Sequence, residues 1–148
     1  MEGKYMAWYD DEARLFSEEK AIREQFPQFE WGTEPDRCLS LSGAMRSNRG
    51  NYFALKLVYP SNYPLDVPKV YCTGAEINGI WYNELPWFDK SRTHMYSQSH
   101  ICWIDVPRSN SWDPRKSTAV VTLTTVAVWL FCYEAYVFDG ERWLGSDH

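Results

Sequence analysis

Tyr63-Pro64-Leu65-Asp66-Val67-Pro68-Lys69-Val70 is the stretch from which the rest of the chain is read. Its two prolines turn the backbone at fixed φ, and the β-branched residues around the second one open a short strand. Downstream, in order, come His94, then His100-Ile101-Cys102-Trp103, then Trp112-Asp113-Pro114. A cysteine taken alone is more often a small packed hydrophobe than a nucleophile. The order and spacing of its neighbours single out Cys102.

Length and composition bound what surrounds that series. A chain of 148 residues suits one hydrophobic core, and no Pro/Gly/Ser-rich linker divides it, so residues 1–148 are expected to form a single domain. A hydrophobic fraction of 45%, with 17% aromatic residues, excludes intrinsic disorder and predicts aromatic-heavy packing. The net charge of -5 argues against nucleic acid as a partner, because phosphate binding needs clustered Lys and Arg. Arg46 and Arg49, around Ser47-Asn48, read as a solvated hairpin tip.

The start, Met1-Glu2-Gly3-Lys4-Tyr5, carries no secretory pattern, so a cytoplasmic location is expected. The apolar run from Ala119 to Phe138 is interrupted by Thr122, Thr124, Thr125 and Glu134. It reads as a core helix, with no membrane partner expected. Cysteines at 38, 72, 102 and 132 form no metal knuckle, so neither a metal nor another cofactor is expected. Reduced thiols fit better than disulfides, with Cys38, Cys72 and Cys132 packed and inert.

Residues 8 to 26 space Trp8, Leu15, Phe16, Ile22 and Phe26 as an amphipathic helix ended by Pro27. Cys38 to Ser42 and Asn51 to Tyr59 form a hairpin candidate across the turn residues Asn48 to Gly50, and Val67 to Cys72 is a third strand. Residues 73 to 99 mix Gly, Asn and Pro with large aromatics and predict an ordered, packed excursion. Ser117 or Thr118 suits the cap of a helix running to Phe138 and closed by Asp139-Gly140. Its β-branched residues favour a strand by propensity, but about twenty residues is too long for one.

Helix, antiparallel β-meander, reactive-cysteine loop and central helix together resemble the α+β fold of ubiquitin-conjugating enzymes. The resemblance rests on Tyr63-Pro64 with Pro68 and Val70, on His100-Ile101-Cys102-Trp103 and on Trp112-Asp113-Pro114, and it covers roughly residues 8 to 138. The family's His-Pro-Asn tripeptide is absent, and its Asn position, eight residues before the cysteine, holds His94. The stretch from Pro68 to His94 is longer than usual, and the sequence stops soon after the central helix. In these respects it is similar to the prokaryotic branch, some of whose members are encoded in antiphage (CBASS) operons beside a cGAS-like nucleotidyltransferase.

That resemblance implies transfer of a partner protein's C-terminal carboxyl through a thioester on Cys102, the partner being a ubiquitin-like modifier or the cGAS-like nucleotidyltransferase. His94 would stand in for the missing Asn, either as an oxyanion donor or as a brace for its loop, the alternative being a surface histidine that does neither. His100, two residues before Cys102, would share its face in an extended segment. A Cys/His hydrolase therefore remains a rival, with Asp105 and Asp113 nearby in sequence. Trp103 and Trp112 read as packing for the loop. Asp139 reads either as an orienting acid for an incoming lysine or as a solvated turn residue. The family docks an activating enzyme on basic residues of its first helix, whereas residues 8 to 26 carry six acids against three bases. An activating enzyme, if used, would dock elsewhere. A noncatalytic binding module of the same fold is the second alternative.

Overall fold

The computed structural model describes residues 7–86, 100–101, 103 and 112–140. A single 3-10 turn, Trp8–Asp10, leads into α1 (Glu12–Gln25). The pattern predicts one helix over 8–26. The chain divides it because Asp11 takes the cap position, its carboxylate accepting from the Arg14 N–H at 3.2 Å. Phe16, expected on the apolar face, is 61% exposed, whereas Arg14, Glu18 and Ile22 share the inward face.

Five strands follow as one antiparallel sheet among the described residues, β1 (Glu30–Thr33), β2 (Leu39–Arg46), β3 (Tyr52–Val58), β4 (Lys69–Ile77) and β5 (Ile80–Tyr82), in that spatial order. The meander expected from the sequence is present, but β4 is longer than predicted and both edge strands are additional. In β3, Phe53, Leu55 and Leu57 are buried while the intervening residues face outward, the period of two that a one-sided sheet requires. Leu57 lies opposite Leu41 on one side and Val70 on the other, so the register stacks apolar residues across three strands. The β4–β5 turn is Asn78-Gly79 with both residues at positive φ (53° and 83°), the two-residue hairpin that Asn-Gly favours.

α2 (Ala119–Phe138) packs on the buried face of the sheet. Phe53 meets Tyr133 edge-on at 6.1 Å, and Leu123, Val126 and Trp129 join the same core. Burial of this face overrides the β-branched propensity of the segment. Thr118 caps the helix, its hydroxyl oxygen accepting from the Val120 N–H at 3.3 Å, and Gly140 leaves it at φ 69°. Length and composition would let α2 cross a membrane, but 56% of its most apolar window is buried inside the protein, the pattern of a core helix.

At the other end of α2, buried Glu134 accepts from the Ser47 hydroxyl at 2.7 Å and from Asn51 Nδ2 at 2.8 Å. Arg49 pairs with Asp139 and lies over the Phe138 ring at 5.6 Å. The basic hairpin tip is exposed, as its sequence suggested, and through Arg49 it also makes a surface ion pair with the exposed C-cap residue Asp139 of α2.

The fully buried carboxylate of Glu18 joins all three layers. It accepts from the Tyr59 hydroxyl at 3.0 Å, from the Ala119 N–H at 3.1 Å, from the Tyr63 hydroxyl and from Arg14 at 3.1 Å. Burial, followed by the adjacent carboxylate, pushes both tyrosine hydroxyls far above their ordinary pKa, so they remain protonated donors. Removing the acceptor would leave four donors, one of them a guanidinium, facing a void. Glu18→Ala is therefore expected to lower the unfolding free energy by about 3–5 kcal/mol in urea denaturation. A loss below about 1 kcal/mol would contradict this role for the carboxylate.

Candidate active site

Cys102 and His94 lie outside the described residues, as do Asp105 and the excursion beyond residue 86. What the structure describes is the frame on either side of Cys102. His100 and Ile101 run along the edge of β4, with His100 bridged to Tyr71 and the Ile101 N–H bonded to the Val70 carbonyl at 2.8 Å. The Ile101 side chain is completely buried. On the other side, Trp103 is buried, and its indole N–H donates to the Pro68 carbonyl at 2.9 Å.

The turn from Tyr63 to Pro68 is the fixed post for this loop. Pro68 holds Trp103, and the Pro64 carbonyl accepts the Trp112 indole N–H at 2.8 Å. The Tyr63-Pro64 peptide is cis. Trp112 stands 5.7 Å from the Tyr63 ring and 6.4 Å from Trp103. Two indole donors therefore fasten the two ends of segment 103–112 to one proline turn. A proline carbonyl suits the task, because the ring removes its own N–H while leaving the carbonyl free to accept. Both tryptophans are packed against the proline turn and each other.

The Trp112-Asp113-Pro114 element is held from the other side as well. Asp113 N–H donates to the Ser117 hydroxyl at 3.0 Å, and its carboxylate accepts from the Arg115 N–H at 3.0 Å. That backbone bond is the main reason the Asp113 carboxyl sits below its ordinary pKa. The Asp113 carboxylate is thus spent on its own turn, which weakens the case for it as the third member of a hydrolase triad. Asp139 stands at the C-cap of a 20-residue helix, about 30 Å of rise from the Thr118 cap. Trp112 and Asp113 adjoin the Thr118 end, so the orienting role considered for Asp139 is not supported.

His100 is the sequence-predicted site residue that the structure places. It is largely buried, edge-on to the Tyr71 ring at 5.8 Å. Desolvation, aided by the Lys69 cation, lowers its pKa. The imidazole is therefore neutral at neutral pH, able to take a proton or to donate through one N–H. A groove of about 280 Å³ runs beside it, lined by Pro68, Lys69, His100, Ile101 and Trp103.

The other cysteines contrast with this setting. Cys132 is buried, and Cys38 and Cys72 are half-buried. Burial pushes all three thiols up, Cys72 to about 11. At neutral pH these sulfurs are protonated and poor nucleophiles, as expected of packed, inert residues.

Because the folded state holds His100 neutral and the unfolded state titrates near 6.5, the unfolded chain binds more protons between the lowered value and 6.5. Stability in that window rises with pH and is lost as pH falls below about 6.5. His100→Gln should therefore lose less stability than the wild type between pH of about 7.5 and about 5 in urea unfolding. Equal losses would contradict the burial of a neutral imidazole.

Comparisons with known proteins bear on this frame. Residues 18–148 match the family model described as the type II CBASS E2 protein. No curated protein matches the chain. Among solved structures it is similar to "A complex of the Vps23 UEV with ubiquitin", at 18% identity and a TM-score of 0.53, covering 82% of this chain and 84% of that one. It is also similar to the yeast Vps23 UEV domain solved with a Vps27 PSDP peptide, at 18% identity and a TM-score of 0.49, covering 82% and 81%. The first of these likenesses bears on the fold, which is that of ubiquitin-conjugating-like domains. With the family model spanning nearly all of the frame around Cys102, the chain belongs to the type II CBASS E2 protein family.

Proposed function

We propose that the protein carries and transfers an acyl group on Cys102. An activated C-terminal carboxyl of a partner protein is taken over by the Cys102 sulfur; the new S–C bond forms as the bond to the activating group breaks, and the thiol proton goes to water or to the neutral imidazole of His100. An amine on an acceptor then attacks the thioester carbonyl. The C–N bond forms, the C–S bond breaks, and the departing thiolate takes up the proton that the amine nitrogen loses, directly or through water. His94 serves the tetrahedral intermediate, as an N–H donor to its oxyanion or by bracing its loop. The partner is a ubiquitin-like protein or a cGAS-like nucleotidyltransferase, and the setting is antiphage defence in a reducing cytoplasm.

The observation that carries this reading is the family match together with the position of Cys102 between Ile101 and Trp103, both anchored to the core. A thioester carrier needs a rigidly held sulfur and no strong base that would recruit water. The surface of α1 presents Glu12, Glu19 and Glu24 beside Lys20 and Arg23, and so carries no excess of basic residues. Any activating enzyme would therefore dock on a surface other than a basic first helix. The likeness to a UEV domain solved with ubiquitin favours one second reading, a binding module whose cysteine is idle.

The test is incubation with the neighbouring gene products and an activating source, followed by nonreducing electrophoresis. A thiol-sensitive adduct should form on the wild type, persist as a more stable oxyester in Cys102→Ser and vanish in Cys102→Ala. Adducts that survive Cys102→Ala would overturn the assignment, and partner binding without any adduct would favour the binding module. His94→Ala should slow transfer to an amine by about a hundredfold if His94 is the donor. His94→Gln, which keeps an N–H, should restore much of that rate only in the donor case.

A further inference from the structure

Arg14 is the half-buried cation of α1, where Lys20 and Arg23 are exposed, and its fork reaches across to the turn after Trp112. Nη1 donates to the Pro114 carbonyl at 3.2 Å, and the two N–H groups of Nη2 face the Ser117 carbonyl, the Glu18 carboxylate at 3.1 Å and the Tyr63 hydroxyl at 3.1 Å. Its guanidinium also lies over the Tyr63 ring at 5.0 Å. Pro114 and Ser117 bracket the turn that follows Trp112, and Ser117 closes that turn through its bond to the Asp113 N–H.

Two free carbonyls at the mouth of a helix are ordinarily satisfied by water. Here a guanidinium from another element satisfies them, at the cost of burying a charge that Glu18 must balance. A lysine would neutralise Glu18 equally well. Only the planar fork of arginine holds two carbonyls and the carboxylate at once. The contacts run in series from Glu18 through Arg14 to the Pro114–Ser117 turn, then from Trp112 to Trp103, the residue that follows Cys102.

We propose that Arg14 is a positioning residue for acyl transfer: from α1 it fixes the Pro114–Ser117 turn, and through Trp112 it sets the placement of the loop that carries Cys102. This rests on the acyl-transfer reading of Cys102. Its action is on geometry, so its signature is a slower chemical step with donor binding unchanged. A displacement of about 1 Å at a reacting group is enough to cost up to about a hundredfold in rate.

The test compares Arg14→Lys, which keeps the charge opposite Glu18 and loses the fork, with Tyr59→Phe, which removes a hydroxyl from the same carboxylate without touching the turn. Single-turnover thioester formation and discharge are measured at saturating donor, beside thermal melting. Arg14→Lys should slow transfer by about tenfold or more with the donor KM within about twofold. Tyr59→Phe should lower the melting temperature and leave the rate unchanged. Ser117→Ala, which loosens the same turn from its own side without removing a charge, should slow transfer in the same direction and keeps the question answerable if Arg14→Lys does not fold. A wild-type rate in Arg14→Lys, a wild-type rate in Ser117→Ala where Arg14→Lys is unfolded, or rates that follow melting temperature across all three variants would overturn the inference. A wild type that forms no Cys102 adduct would remove the transfer reading and this inference with it. A charged wild type beside an equally fast Arg14→Lys would remove this inference alone.

Discussion

A carboxylate with no access to water must find its hydration shell inside the protein, and Glu18 finds it in four donors from four separate parts of the chain. Two are the hydroxyls of Tyr59 and Tyr63, one is the first N–H of α2, and one is the Arg14 guanidinium a single turn away on α1. The desolvation cost is large, and removing either ion leaves the other buried and uncompensated. The sheet's exit from β3, the proline turn and the start of α2 are thus tied to one point. An apolar core packs these elements without fixing their relative placement to within a few tenths of an ångström. Directional bonds to one atom pair do fix it.

The functional consequence lies one contact further on. Tyr63 both donates to Glu18 and supports Trp112, and the turn beginning at Tyr63 supplies the two proline carbonyls that hold Trp103 and Trp112. The sequence signature Tyr-Pro…Pro, the residue after Cys102 and the downstream Trp-Asp-Pro therefore belong to a single mechanical unit. Their separation in sequence hides a separation in space of only a few ångströms. None of these contacts involves Cys38, Cys72 or Cys132. Burial raises their pKa and keeps them protonated.

What the sequence made legible was periodicity and punctuation. The strand within Asn51 to Tyr59, the Thr118 cap and the length of α2 each followed from a local rule, and the structure bears them out. β5 carried a local signal too: Asn78-Gly79 between Glu76-Ile77 and Ile80-Trp81 is a hairpin turn, masked by the aromatics and prolines that follow. β1 had little to show, being four residues with a glycine, and it is specified by its pairing with Leu39–Ser42. Glu18 was illegible because it reads as one more acid on an acidic helix. Only its position between Arg14 and Ile22 on the inward face, together with tyrosines 41 and 45 residues away, gives it its role. The ion pair of exposed Arg49 was illegible for the same reason, since its partner Asp139 lies 90 residues on. Long-range polar pairing leaves no mark on local periodicity.

The central claim is that this frame holds one sulfur ready while the fold disables the rest. Its most direct test is the alkylation rate of each cysteine in the native protein, resolved by peptide mass spectrometry across neutral pH with a small iodoacetamide reagent. The account predicts that Cys102 is modified at least about tenfold faster than Cys38, Cys72 or Cys132, and that the four converge in denaturant. A native protein in which Cys102 reacts no faster than Cys72 would contradict it.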